Sequence, residues 1–436
     1  METKVLFKPQ PAKGKLHLRG QIQALSGFKN HSERKGIRNS KNGILNSEDR
    51  MKKIIIFICC FLLAFAFSGV TVALAEPEIA KITVSAKSAY LTDENLNEEI
   101  FEMNADNRYP IASMVKIMTA LIAFEEVDKG NVSLDEKICI SHNAMSMGGS
   151  QMFLEEGLEY PMSDLLKGII VVSANDACVA VAERVSGSEE AFVQRMNKRA
   201  EELKLKNTNF VNCTGLPAVN GYSSARDCAV MLSELLKHPK YHDYSTIWLE
   251  DYVHPDGRVT CFTNTNKLIR FYQGCDGGKT GFTNEAGFCL SATAERNGVR
   301  LISVVIGESD SKVRFEDSKK MFNYAFANYK KEVLAKSGEK IGELTVKGGK
   351  NPVPVGVTKD TGIFTRIGED CGGKLVVEFK EGLRAPIEKG TVVGVAKAIR
   401  NGKVVDEAEI ITLEAIEKET YGDAIERVMG DWSVKR

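Results

Sequence analysis

The chain has no surplus of either charge: 58 lysines and arginines stand against 58 aspartates and glutamates in 436 residues. A nucleic-acid binder usually carries a basic excess, so this balance gives that function no support and no nucleic-acid partner is expected. Histidine is scarce, with six residues, and the ten cysteines form no Cys-x-x-Cys pair and no cluster with histidine. A zinc site needs such spacing, so neither a metal nor another cofactor is expected. What remains is ordinary for a globular protein with room for two domains: 43% hydrophobic and 27% charged residues.

The overall neutrality hides a local bias. Residues 1–50 carry eleven Lys/Arg against four Asp/Glu and show no clear periodicity. They read as a disordered upstream extension, because a methionine with the start of an export signal follows. Met51-Lys-Lys opens a basic start, Ile54 to Phe67 is an apolar run, and Ala73-Leu-Ala75 is a small-x-small exit. These are the three parts of a secretory signal over 51–75, and they predict export to the outer face of the cell membrane or the wall. A membrane anchor with a basic cytoplasmic tail is the alternative. Cys59 and Cys60 lie in this segment. The other eight cysteines fall mostly within apolar or helical patterns and read as buried thiols, although an exported protein could pair them.

Residues 76–335 alternate helix and strand signals. Ile82 to Thr92 reads as an edge hairpin with a turn at Asp93-Glu-Asn-Leu-Asn. Helices are expected from Ser113 to Lys129 (ended by Gly130), over 162–172, over 176–185 (closed by Gly187), and over 189–203, 226–236 and 312–330. Pro255-Asp-Gly257 marks a hairpin, and Asn297-Gly298 between two alternating runs marks another. From Glu343 short alternating runs dominate, predicting an all-β domain over about 340–412 with a turn at Asn401-Gly402. Residues 413–436 place Ile425, Val428, Met429 and Trp432 on one helical face, an amphipathic stretch suited to packing or to contact with a membrane surface.

Three short motifs carry the chemistry. Ser113-Met-Val-Lys116 sits among apolar residues, so its lysine is expected on a buried helix. Burial lowers a lysine pKa, a neutral lysine is a base, and a serine beside it is an activated nucleophile. Ser173-Ala-Asn175 breaks two apolar helices. It reads either as a helix corner or as a proton relay (Ser173) with an amide that holds substrate (Asn175). Lys279-Thr280-Gly281 offers a cation and a hydroxyl to a carboxylate, and its bare glycine would let an extended peptide pair with the strand. The backbone N–H groups of Ser113 and Phe282 are candidates for an oxyanion hole. No histidine lies in these motifs.

In this order the motifs match those of penicillin-binding proteins and class A β-lactamases, with Ser-Ala-Asn where Ser-Asp-Asn is common. Over roughly 80–420 the chain resembles serine-type D-alanyl-D-alanine carboxypeptidases, the low-molecular-mass penicillin-binding proteins. Ser173-Ala-Asn-Asp-Ala-Cys178, Thr214-Gly-Leu-Pro217, Tyr222-Ser-Ser-Ala-Arg-Asp227, Asp276-Gly-Gly-Lys-Thr-Gly281 and Arg314 carry the resemblance. It implies an α/β (α+β) transpeptidase-type domain, an antiparallel sheet flanked by helices, plus a β-rich stalk. It also implies removal of the terminal D-alanine from peptidoglycan stem peptides through an acyl-serine, with β-lactams as covalent inhibitors. Arg314 would help to bind the substrate carboxylate. Two departures stand out: Phe282 replaces a common histidine, and Thr265 stands where some members carry arginine. Cys178, three residues after Asn175, is either a buried helix thiol or a site where a thiol reagent inhibits by bulk. The alternatives are a β-lactamase, which would need a glutamate base on a loop after the middle motif, and a wall-binding protein without turnover.

Overall fold

The computed structural model describes residues 5–7, 82–423, 425, 426 and 429. The export signal expected at 51–75 lies outside the described residues, as does most of 1–50. Within 1–50, expected to lack order, Val5–Phe7 forms a short strand against Leu375–Val377. Three β-prone apolar residues here add to an open sheet edge.

The centre of the catalytic part is a five-stranded antiparallel sheet: β1 (Ser88–Asp93), β2 (Glu99–Met103), β3 (Cys275–Thr283), β4 (Gly287–Arg296) and β5 (Val299–Glu308), in the order β2-β1-β5-β4-β3. Asn297 and Gly298 take φ of 52° and 72° and turn β4 tightly into β5. The run Leu301-Ile-Ser-Val-Val-Ile306 is apolar on both faces because both are covered. Ile302, Val304 and Ile306 face the main helical core, while Leu301 and Val305 face a second core under helix α6 (Val313–Asn328). The first strand differs from its expected place. It begins at Ser88 and lies inside the sheet, between β2 and β5. Ile82 and Val84 pack on the second core, and the Ser85 amide donates to Asp317 Oδ2 (2.6 Å) instead of joining a ladder.

Helix α1 (Lys116–Asp128) is buried along most of its length, as its apolar surround predicts. Helices α2 (Met162–Val171) and α3 (Asn175–Ser186) meet at residues 172–174, and Gly187 closes α3 at φ 85°. Helix α4 (Glu189–Glu202) is capped by Ser188, whose hydroxyl accepts from Ala191 N. Helix α5 (Ala225–Leu236) is capped by Ser224, whose hydroxyl accepts from Asp227 N.

Strand β6 (Tyr329–Ala335) follows α6 directly and pairs with β9 (Thr361–Arg366). Strands β7 (Lys340–Leu344), β8 (Val353–Val357), β10 (Gly373–Phe379), β11 (Val392–Arg400) and β12 (Lys403–Thr412) form a sheet in the order β10-β11-β12-β8-β7, with Val5–Phe7 on its β10 edge. It has its own apolar core, including Val355, Val377, Val393 and Ile410. The C-terminal amphipathic stretch is only partly described. Residues 421–423 are helical and Ile425 and Met429 are exposed, whereas Val428 and Trp432 lie outside the described residues. Among the described residues no helix is long and apolar enough to cross a membrane.

One buried cluster fixes α6 to the sheet. Glu308 at the end of β5 and Asp317 on α6 are 1% and 0% exposed, and the Ser85 hydroxyl donates to both at 3.0 Å. Burial and the neighbouring Asp317 push Glu308 up to about 7. Asp317 stays low because hydrogen bonds from Lys320 and Ser85 outweigh its own burial. The native state thus keeps a proton on Glu308 that the unfolded chain releases near 4.5. Unfolding free energy should therefore fall as pH rises from the ordinary glutamate range through about 7, by on the order of 2 kcal/mol. Glu308→Gln is expected to remove that slope, read from urea midpoints at pH 5 and pH 8.

Candidate functional site

The sequence predicts Ser113 and Lys116 on one helix. Instead Ala112–Val115 is a 3-10 turn, and Lys116 is the first residue of α1. Ala112 sits at φ 48°, a conformation that L side chains avoid. Two glycines permit this turn. A Cβ on Gly215 would stand 2.0 Å from Ala112 O, and one on Gly281 would stand 2.6 Å from Ile111 O. Gly281 is therefore bare because the serine turn presses on β3, a reason the sequence did not reveal.

Lys116 is 1% exposed, and its Nζ lies 3.1 Å from Ser113 Oγ while donating to Thr214 O at 2.5 Å. Burial pushes its pKa down from the ordinary lysine value. Thr214 O is aimed by an Asn turn: Asn212 Oδ1 accepts from Thr214 N (3.2 Å) and Gly215 N (2.6 Å). Asn212 was missed by sequence reasoning, although Thr214-Gly215 was marked as a pattern.

Ser173 is buried at φ 66°, and its Oγ has no partner among the described residues. Asn175 begins α3, yet its side chain caps nothing; its Nδ2 donates to Gly148 O at 2.6 Å. The two helices do meet at this corner, but neither side chain caps a helix end there. Ser173 thus combines a strained backbone with a buried, unpaired hydroxyl, a combination that clusters at functional sites. Asp176, part of the Ser173-to-Cys178 pattern but with no role assigned from sequence, accepts from Met152 N and Leu154 N at 3.1 Å each and holds the 148–154 loop against Asn175.

Lys279 is buried, and its Nζ donates to Thr280 O at 3.1 Å; burial first and Lys116 second push its pKa well down. Thr280 Oγ1 meets Thr265 Oγ1 at 2.8 Å. Arg314 Nη1 donates to Gly281 O (3.1 Å) and Cys289 O (3.3 Å), its Nε is buried without a partner, and burial lowers it to about 10. Among the described residues no carboxylate forms an ion pair with Lys116, Lys279 or Arg314. Buried cations normally find one. The lysine pair and the half-buried arginine thus gather basic groups in one place, and their mutual repulsion is one cause of the lowered Lys279 pKa.

The same chain matches the family model for D-alanyl-D-alanine carboxypeptidase over residues 72–310, and that for the C-terminal domain of penicillin-binding protein 5 over 329–418. The chain belongs to the D-alanyl-D-alanine carboxypeptidase family. It is 39% identical to D-alanyl-D-alanine carboxypeptidase DacF of Bacillus subtilis over 88% of this chain and 99% of that protein. Penicillin-binding protein 5 of Haemophilus influenzae superposes with a TM-score of 0.59 at 32% identity, covering 78% of this chain and 100% of that one. Penicillin-binding protein D2 of Listeria monocytogenes, solved in its ampicillin-bound form, gives 0.51 at 31% identity, covering 56% of this chain and 99% of that one.

Two departures within this family member now have a structural setting. The Phe282 ring, half exposed, stacks on Phe288 at 4.2 Å between centroids. Thr265, in place of an arginine, adds a hydroxyl to Thr280 but no charge. Cys178 is fully buried, and burial pushes its thiol up to about 12. Such a thiol is inert, which favours the packing role over a reagent target.

Proposed function

We propose that this protein is a serine-type carboxypeptidase that removes the terminal D-alanine from peptidoglycan stem peptides, outside the cytoplasmic membrane. The observation that carries the reading is Ser113 Oγ, 3.1 Å from the amine of fully buried Lys116. The peptide's terminal carboxylate would lie against Lys279, Thr280 and Arg314. Its arrival restores the charge on Lys279, because a paired cation no longer resists burial. Ser113 Oγ attacks the carbonyl carbon of the penultimate D-alanine as Lys116 takes the serine proton. The N–H groups of Ser113 and Phe282 hold the oxyanion. Asn175 holds the substrate amide, and Ser173 passes a proton to the departing amine, so the C–N bond breaks and D-alanine leaves. Water then attacks the acyl-serine, returning Ser113 and a shortened peptide. A β-lactam, whose amide copies the scissile bond, would acylate Ser113 and leave slowly.

Among the described residues no carboxylate hydrogen-bonds directly to Ser113 or Lys116, whose amine instead meets Ser113 Oγ and Thr214 O. Exposed Tyr421, Ile425 and Met429 support contact of the C-terminal end with a membrane surface. The test is D-alanine release from a pentapeptide beside penicillin acylation. For the relay, Ser173→Ala is expected to lower D-alanine release by about 10²–10⁴-fold, the range for lost proton transfer. Removing a buried hydroxyl that has no partner should leave stability unchanged or raise it by up to about 1 kcal/mol. A urea midpoint beside the rate separates this from a packing role, which would move stability and activity together.

A further inference from the structure

Strand β3 is an edge of the catalytic sheet, so its outer side is where an extended peptide can pair. The start of that edge is already taken by side chains from residues 241–266. The Ser245 hydroxyl donates to Asp276 O (2.5 Å), and Asn266 Nδ2 donates to Gly277 O (3.0 Å). The Tyr241 hydroxyl accepts from Gly278 N at 2.8 Å. Alternate residues of a strand point their N–H and C=O to the same side, so Thr280 and Phe282 face outward with Gly278. Tyr241, on the short helix Pro239–Ser245, is 2% exposed, and burial raises its phenol pKa, so the hydroxyl stays neutral.

The strand is shaped to meet this tyrosine. Its register with β4 shifts between Cys275 and Gly277, where an extra residue bulges the strand. A Cβ on Gly277 would stand 2.8 Å from Tyr241 Oη, and one on Gly278 would stand 2.1 Å from Ser291 O on β4. The two glycines of Asp276-Gly-Gly-Lys279 thus let the tyrosine and β4 both close on the strand. Lys279 comes next, and it lines one small cavity together with Tyr241 and Lys116. We propose that Tyr241 is a positioning residue: by holding Gly278 N it closes the pairing edge just before Lys279 and sets Lys279 and Thr280 to receive a terminal carboxylate. A bound peptide must end there, and one whose terminal carboxylate is masked loses its anchor. The proposal rests on the carboxypeptidase reading and adds what fixes the preference for a free chain end.

The test compares a pentapeptide ending in D-Ala-D-Ala with the same peptide as its C-terminal amide, each cleaved by the full chain and by Tyr241→Phe. The unsubstituted protein should favour the free acid by about 10²-fold in kcat/KM, as charge-assisted hydrogen bonds to a carboxylate allow. In Tyr241→Phe that ratio should fall by about tenfold, through a raised KM for the acid more than a lowered kcat. Gly277→Ala, which crowds Tyr241 Oη, is the second variant and should lower the same ratio, so the test survives if Tyr241→Phe does not fold. Because the readout is a ratio between two peptides, a general loss of active protein does not imitate the result. An unchanged ratio in the variants, or no preference for the acid in the unsubstituted protein, overturns the assignment of Tyr241 and leaves the carboxypeptidase reading standing. If the unsubstituted protein cleaves neither peptide, the carboxypeptidase reading fails and the assignment falls with it.

Discussion

Lys116→Met is expected to slow acylation of Ser113 by benzylpenicillin by about 10²–10⁴-fold, the loss typical of removing a general base. Methionine nearly matches lysine in length and is apolar, so the buried cavity stays filled. The change removes a costly buried amine but leaves Thr214 O without its 2.5 Å donor. These effects oppose each other, so stability should move by no more than about 2 kcal/mol. The pH dependence gives a second readout. Only the neutral amine can take the serine proton, so acylation by the unsubstituted protein should fall as pH drops through the Lys116 pKa. Burial puts that limb below the ordinary value of 10.5. In Lys116→Met the limb should vanish along with most of the rate. Acylation at the unsubstituted rate would remove Lys116 from the chemistry.

Gly215→Ala should be nearly as damaging, although residue 215 carries no functional group. The added Cβ would stand 2.0 Å from Ala112 O, 2.5 Å from Ala112 C and 3.0 Å from Ser113 N. All three are backbone atoms, so no rotamer change relieves the clash, and φ of 80° adds strain. The serine turn must shift, which should cost about 2–4 kcal/mol of stability. A displacement of about 1 Å at the nucleophile should cost about 10²-fold in acylation. Gly130→Ala is the control. Gly130 has φ of 74° but nothing within 4 Å of an added Cβ, so it should lose about 1 kcal/mol and no activity. Thermal unfolding and penicillin acylation of both variants distinguish crowding of the serine turn from general backbone strain.

These two residues show what sequence does and does not reveal. Ser113 and Lys116 are near in sequence, so a local rule brings them together. The Asn297-Gly298 turn and the helices around residues 162–186 are likewise local and legible. Pressure on the serine turn from Gly215 and Gly281 comes from segments about 100 and 170 residues away, and no local pattern records such an approach. The Lys279-Thr280-Gly281 motif is legible in sequence, but the close approach of Ile111 O to Gly281 is not. The grip of Asp176 on the 148–154 loop was hidden because an aspartate in the first helical turn already has an ordinary explanation. Ile82 to Ala86 alternates like a strand, yet bonds between Ser85 and the Glu308–Asp317 pair take up its backbone. That is a tertiary override of a correct local pattern.

The most direct test is intact mass of the protein after benzylpenicillin, followed over time beside Ser113→Ala and paired with D-alanine release from a pentapeptide. A lasting adduct of one penicillin on the unsubstituted protein, none on Ser113→Ala, and D-alanine release by the unsubstituted protein alone are the expected results. An adduct that clears within seconds would indicate a β-lactamase. No adduct and no D-alanine release would contradict the assignment of Ser113 as nucleophile and leave a peptide-binding site without turnover.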